Sequence, residues 1–164
     1  KPYILPGFIF IIFSFYTVYY IRNEFNGDYI YFLTILLICI CTDIGGYVFG
    51  KIFKGPKLTK ISPRKTYSGA IGGYLLSIIF LNIFYYSPYV IIKSMKLTSD
   101  IFIFILLVST ISQLGDILIS YFKRLSKIKD TGKIIPGHGG LLDRVDGMIF
   151  VFPFSYLIFL MDFQ

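Results

Sequence analysis

The sequence predicts an all-α fold: a polytopic integral membrane helical bundle with about five transmembrane helices, forming a single membrane domain over residues 1–164. Three observations predict it. The chain of 164 residues is 55% hydrophobic and only 15% charged, with a mean hydropathy of +0.73, well outside the range of soluble globular domains. Its apolar residues fall in stretches close to the roughly 20 residues that a helix needs to cross a bilayer. Its cations gather in two of the connections between those stretches.

The first span runs from Tyr3 to Ile21. It starts almost at once after Lys1, as it would in the later part of a longer, N-terminally truncated protein. A signal peptide would supply one apolar stretch near the start, whereas here they recur along the chain. The second span, Tyr29 to Gly50, contains both cysteines, Cys39 and Cys41, which therefore say nothing about redox compartment. The third, Ser68 to Tyr86, opens with Gly69, Gly72 and Gly73, small residues that let helices approach closely. Thr98 to Phe122 and Val145 to Met161 complete the set. The 14 tyrosines and 18 phenylalanines suit interfacial anchoring and lipid-facing packing better than base stacking.

The connection 51–67 carries Lys51, Lys54, Lys57, Lys60, Arg64 and Lys65 with no acid. The connection 121–144 carries Lys123, Arg124, Lys127, Lys129, Lys133 and Arg144 against Asp130 and Asp143. The other two connections hold few cations, so the positive-inside bias puts the two basic loops in the cytoplasm. The net charge of +7 is then explained by orientation and by anionic ligands at the membrane, with no nucleic acid as a partner.

Acids within spans are costly, about 2.5 to 3.5 kcal/mol at a helix centre, and usually face protein, a partner or water. Asp43, Asp116 and Asp146 are such acids, and the topology puts all three in the cytoplasmic half. Hard carboxylate oxygens gathered from separate helices suit Mg²⁺. The alternative is that each acid pairs with a nearby Lys or Arg, or caps a helix start as Asp146 could. The basic loops turn at Gly55-Pro56, Ser62-Pro63 and Pro136-Gly137-His138-Gly139-Gly140, presenting backbone amides and cations together, an arrangement suited to phosphate. His138, the sole histidine, could donate to a phosphate, move a proton or ligate a metal, or be a turn residue bonded to backbone.

The 27 residues from Ser120 to Asp146 contain Ser120, Phe122, Lys123-Arg124, Lys129-Asp130, Pro136-x-His138-Gly139-Gly140 and Asp143-Arg144-x-Asp146. This pattern resembles the signature of the CDP-diacylglycerol synthase (phosphatidate cytidylyltransferase) family. Asp43 to Gly50 with its glycines, Ile61-Ser62-Pro63-x-Lys65-Thr66 ending at Gly69, and Gln113-x-Gly115-Asp116 extend the resemblance across the chain from about Asp43 onward. Two positions depart: Ser68 stands where the family commonly has Glu, and Gly147 where it commonly has Ser.

The resemblance implies attack by the phosphatidate phosphate on the α-phosphorus of CTP, giving CDP-diacylglycerol and pyrophosphate in phospholipid biosynthesis. A phosphate monoester with a second pKa of about 6 is already largely dianionic at neutral pH. Catalysis then rests on positioning and charge neutralisation rather than on a strong base. On this reading Asp116, Asp146 and Asp143 hold Mg²⁺, and Lys123 and Arg144 join them as catalytic residues. Ser62, Lys65, Arg124, Lys129, Asp130, His138, Gly139, Gly140 and Asp43 bind substrate. The implied partners are CTP, phosphatidate and the bilayer, with a homodimer as the open question of assembly. The implied location is a bacterial inner membrane, the active site facing the cytoplasm. Two competing classes are a CDP-alcohol phosphotransferase, whose Asp-Gly signature with spaced acids is missing, and a transporter using Asp43 and Asp116 to line an ion path.

Overall fold

The computed structural model describes residues 4–23, 29–59, 61–63, 65–86, 99–128, 131–132, 140 and 145–162. Five helices account for most of them: α1 (Ile4–Asn23), α2 (Ile30–Phe53), α3 (Tyr67–Tyr86), α4 (Ser99–Leu125) and α5 (Met148–Asp162). The first four are long and apolar enough to cross a membrane. The fifth has 15 residues, or about 22 Å of helix at 1.5 Å per residue, less than the roughly 30 Å hydrocarbon core. It starts three residues later than the apolar run because Asp146 and Gly147 form the turn that delivers the chain into it.

α2 and α3 form the tightest seam, running antiparallel. Glycines on both helices let the backbones touch: a Cβ on Gly45 would collide with the backbone of Gly72 and Gly73, and one on Gly69 would stand 2.6 Å from the Gly46 carbonyl oxygen. Three helices then meet around one hydroxyl. Thr42 Oγ1 lies 2.9 Å from both Ser77 Oγ of α3 and Ser109 Oγ of α4, and bonds the Ile38 carbonyl at 2.7 Å. In a lipid-facing bundle such hydrogen bonds replace the water that hydroxyls would otherwise need.

α1 packs along α5 in parallel through rings instead of glycines: Phe10 against Phe150 at 5.1 Å, and Tyr20 edge-on to Tyr156 at 5.1 Å. α5 contains Pro153. A proline has no N–H, so the carbonyl four residues earlier, that of Ile149, loses its intrahelical donor. Ser14 of α1 reaches that carbonyl, its Oγ lying 2.9 Å from the Ile149 carbonyl oxygen and also 2.9 Å from that of Phe10 in its own helix, so its one proton is shared between the two. Between the two seams, Ile35, Ile38, Leu81, Ile105, Val108 and Val151 form a fully buried apolar core.

The contacts fix which helix ends lie together. Gly45 and Gly46 of α2 face Gly72 and Gly69 of α3. Tyr74 of α3 bonds Thr110 of α4, and Phe104 near the start of α4 packs on Phe159 near the end of α5. The ends of α2 and α4 and the starts of α1, α3 and α5 therefore share one end of the bundle. Both basic connections leave from that end, and every intramembrane acid singled out in the sequence lies towards it.

Candidate active site

The connection between α2 and α3 is braced back onto the helices it joins. Lys54 terminates α2 in the left-handed region, at φ 47°. Leu58 N–H donates to the Lys65 carbonyl at 2.8 Å and Tyr67 N–H to that of Pro56 at 3.0 Å. Thr66 Oγ1 accepts from Gly69 N–H at the start of α3 and lies 3.1 Å from Ser68 Oγ, which accepts from Gly55 N–H. Ser68, at the position where glutamate is common in the resembling family, thus ties the connection to its helix.

This bracing delivers Lys65 across the bundle end. Its Nζ lies 2.8 Å from Asp116 Oδ2 and 3.3 Å from the Gln113 carbonyl oxygen, both on α4. Two turns further along α4, Lys123 Nζ lies 3.4 Å from Asp146 Oδ2 in the turn before α5, while Asp146 Oδ1 accepts from Gly147 N–H at 3.1 Å. Both ion pairs are mostly buried, with side-chain exposures of 26% and 21% for Lys65 and Asp116 and 13% and 14% for Lys123 and Asp146. The pairing of acids with lysines, left open by the sequence, is present.

The two acids also meet each other. A Cβ on Gly115 would stand 3.1 Å from the Gly147 carbonyl oxygen, and one on Gly147 would stand 3.2 Å from Asp116 Oδ1 and 2.9 Å from Ser112 Oγ. α4 and the entry to α5 are in backbone contact at these glycines, which puts the carboxyls of Asp116 and Asp146 beside one another. Two carboxylates so close favour a bound cation. Their oxygens are hard donors, and Mg²⁺ is commonly held by one or two carboxylates with phosphate and water completing its shell. The pair fits a divalent ion in that way. Among the described residues no third His, Cys, Asp or Glu joins them as a closed set.

On the other side of Asp116 is a cavity of about 270 Å³, bounded by α2, the α2–α3 connection, α3 and α4. Asp43, Tyr47, Ser62, Lys65, Thr66, Gln113 and Asp116 all line it. Asp43 therefore shares a compartment with Lys65 and Asp116 and forms no ion pair among the described residues. Of the other expected site residues, Arg124 is exposed and turns back on its own helix end, Nη1 lying 3.4 Å from the Ile128 carbonyl oxygen. Gly140 is buried against Thr131 and Gly132. Lys129, Asp130, His138, Gly139, Asp143 and Arg144 lie outside the described residues. Tyr47 and Thr66 had no assigned role, and Gln113 stood in a quoted motif without one. Their shared signal is that each lies within four residues of an intramembrane acid or of Lys65.

A polytopic bundle of apolar helices, with two lysine–aspartate pairs and a polar cavity gathered at the end where its basic connections emerge, defines an integral membrane protein with its charged groups collected at one end of the bundle. The chain belongs to the cytidylyltransferase family, whose sequence model matches residues 3–161, and is thus a nucleotidyltransferase. It is 36% identical over 162 residues to the phosphatidate cytidylyltransferase of Rickettsia felis, covering 96% of this chain and 70% of that one. The enzyme of the same name from Rickettsia typhi is 37% identical, with 92% and 67% covered. That from Staphylococcus haemolyticus is 38% identical over 83% of this chain and 51% of its own length.

Proposed function

We propose that this chain catalyses CTP-dependent cytidylyl transfer to phosphatidate, releasing pyrophosphate and leaving CDP-diacylglycerol in the membrane. The observation that carries the reading is the meeting of Asp116 on α4 with Asp146 in the turn before α5, with a lysine on each. The names of the similar rickettsial and staphylococcal enzymes support the same reaction.

The phosphatidate phosphate is already an oxyanion nucleophile, so no residue need remove a proton from it. The difficulty is bringing two polyanions together. A divalent ion, taken here as Mg²⁺ on Asp116 and Asp146 with Asp143 as a further ligand or outer partner, would supply Lewis-acid neutralisation of phosphate charge when bound. Lys65 and Lys123 bring ammonium groups to the same place and stay there without substrate because each rests on a carboxylate. They are positioned to stabilise oxyanion charge as it moves from the attacking phosphate to the leaving pyrophosphate. Arg124, Lys129 and Arg144 are assigned to the phosphates, and Asp130, His138, Gly139 and Gly140 to the loop that holds them. Ser62 and Asp43 face the substrates from the cavity. The site's position at a bundle end suits a lipid whose phosphate lies at the membrane surface and a nucleotide arriving from water. That surface is taken as the cytoplasmic face of a bacterial inner membrane, with a homodimer as the assembly to be tested.

The experiment is transfer of label from [α-³²P]CTP into lipid by membranes carrying the chain, with phosphatidate and Mg²⁺ supplied. Lipid-soluble label that depends on phosphatidate, together with release of pyrophosphate, is the expected result. No label in lipid from folded, membrane-inserted protein would overturn the reading. Consumption of CDP-diacylglycerol with a free alcohol would favour the phosphotransferase class instead.

A further inference from the structure

Among the described residues the cavity beside Asp116 holds more acid than base. Asp43 and Asp116 contribute two carboxyl groups to it against the one ammonium of Lys65, which rests on Asp116 at 2.8 Å and on the Gln113 carbonyl at 3.3 Å and is the group assigned above to phosphate charge. The cation that would attract phosphate on the far side of the acid pair, Lys123, does not line this space. A polyanion entering the cavity would meet Asp43, which has no ammonium or guanidinium partner among the described residues.

What the lining does offer is a set of neutral and acceptor groups: the Asp43 carboxylate, the Ser62 and Thr66 hydroxyls and the Gln113 amide, with the Tyr47 ring among the walls. Tyr47 is 69% exposed, so its ring stands at an open edge. Lys51 Nζ hangs 5.8 Å from its centroid, a cation at that edge instead of inside. At about 270 Å³ the space falls just under the range of ligand pockets, about 300 to 1,000 Å³, and suits a base with its sugar more than a whole nucleotide and lipid.

From this juxtaposition of an intramembrane carboxylate without a cationic partner among the described residues, hydroxyls, an amide and an aromatic edge in one small cavity, we infer that the cavity is the nucleoside subsite and that Asp43 selects the base. The inference rests on the proposed use of CTP and adds which part of it goes where. A carboxylate accepts from the exocyclic amine of cytosine, the pairing by which acidic side chains read that base. Uracil presents a carbonyl oxygen at the same place, which a carboxylate repels. The neutral groups satisfy the remaining base and ribose atoms, and Tyr47 offers a face for stacking. The triphosphate is then directed past Asp116 towards the acid pair and the basic connections.

Asp43→Asn tests this, because an asparagine amide can donate to the uracil carbonyl. With full-length protein in membranes, KM for CTP is expected to rise by about tenfold or more. The ratio of kcat/KM for CTP over UTP should fall by a similar factor, while KM for phosphatidate stays within about twofold. Unchanged selectivity between CTP and UTP overturns the inference, whether the rate falls or not. A change confined to phosphatidate KM, or to divalent-ion dependence, likewise gives the cavity to the lipid headgroup or to a cation. Should Asp43→Asn fail to accumulate, Tyr47→Leu against Tyr47→Phe carries the test: loss of the ring should raise KM for CTP and loss of the hydroxyl alone should not. Equilibrium binding of labelled CTP to wild-type protein, competed by UTP, separates this inference from the reaction. Preferential CTP binding without lipid product would retire the reaction and keep the subsite, and equal competition by UTP would retire the subsite.

Discussion

The two seams of the bundle are built on opposite principles. Between α2 and α3 the glycines bring backbone onto backbone at Gly45, Gly46, Gly69 and Gly72, with the Phe49 side chain seated against Gly72. Between α1 and α5 aromatic rings fill the space, and one hydroxyl repairs the hydrogen bond broken by a proline. A backbone contact cannot yield by changing rotamer, whereas rings can shift and repack. The rigid seam is the one that carries Asp43 and ends in the braced connection holding Lys65, so precision is concentrated where the site needs it.

The sharpest way to break this comparison lies at two neighbouring glycines. A Cβ on Gly45 meets the backbone of Gly72 and Gly73, while one on Gly46 has 3.8 Å to its nearest neighbour. Gly45→Ala should destabilise by at least the upper end of the about 1–3 kcal/mol seen for overpacked cores. Gly46→Ala should be neutral within about 1 kcal/mol, since alanine is the better helix former. Thermal unfolding in detergent, with activity followed in parallel, separates them.

Next in size is Lys65→Met, which strips Asp116 of its ammonium partner while keeping an unbranched side chain only one atom shorter. Transfer activity should fall by about 10²-fold, on the scale of losing one preorganised charge-stabilising group, with membrane abundance retained. Activity within a few-fold of wild type would show that the braced connection serves stability alone.

The aromatic seam should respond less. Ser14→Ala leaves the Ile149 carbonyl without its donor and should cost about 1–3 kcal/mol, the penalty for an unpaired buried polar group. That penalty should shrink in a Pro153→Ala background, where residue 153 regains an N–H for the same carbonyl. A double-mutant cycle by thermal unfolding measures the coupling, and additivity would contradict the repair. Phe10→Leu, a single substitution among rings that can repack, should cost less than about 1.5 kcal/mol.

Much of this architecture was legible in the residues. Apolar length placed the helices to within a few positions at most ends, and the glycines at 69, 72 and 73 announced a close approach. What the chain could not announce was the partner: Gly45, one of the contacts, lies in a different span, and nothing in periodicity selects α2 over α1. Helix α4 runs to Leu125, beyond the expected Phe122, because Lys123 and Arg124 extend it past the apolar stretch on which a hydropathy reading stops. α5 was harder to bound, since its apolar run includes the turn that positions Asp146.

The site divides in the same way. Asp43, Asp116 and Asp146 stood out because acids are expensive within spans, and Lys65 and Lys123 because they sit in signature segments. Their pairing was hidden: Lys65 and Asp116 are 51 positions apart, and charge counting cannot say which lysine reaches which acid. Thr42, Ser77 and Ser109 were silent too, since hydroxyl residues inside an apolar helix give no sign of facing one another. The cavity is a property of packing and belongs to none of its lining residues singly.

The central claim is that Asp116 and Asp146 act together on one divalent ion. Electron paramagnetic resonance of Mn²⁺ bound to purified protein in the presence of CTP tests it without relying on turnover. Wild type should show bound Mn²⁺, and Asp116→Asn and Asp146→Asn should each weaken that binding by at least about tenfold. Wild-type Mn²⁺ binding in both folded variants would contradict the account.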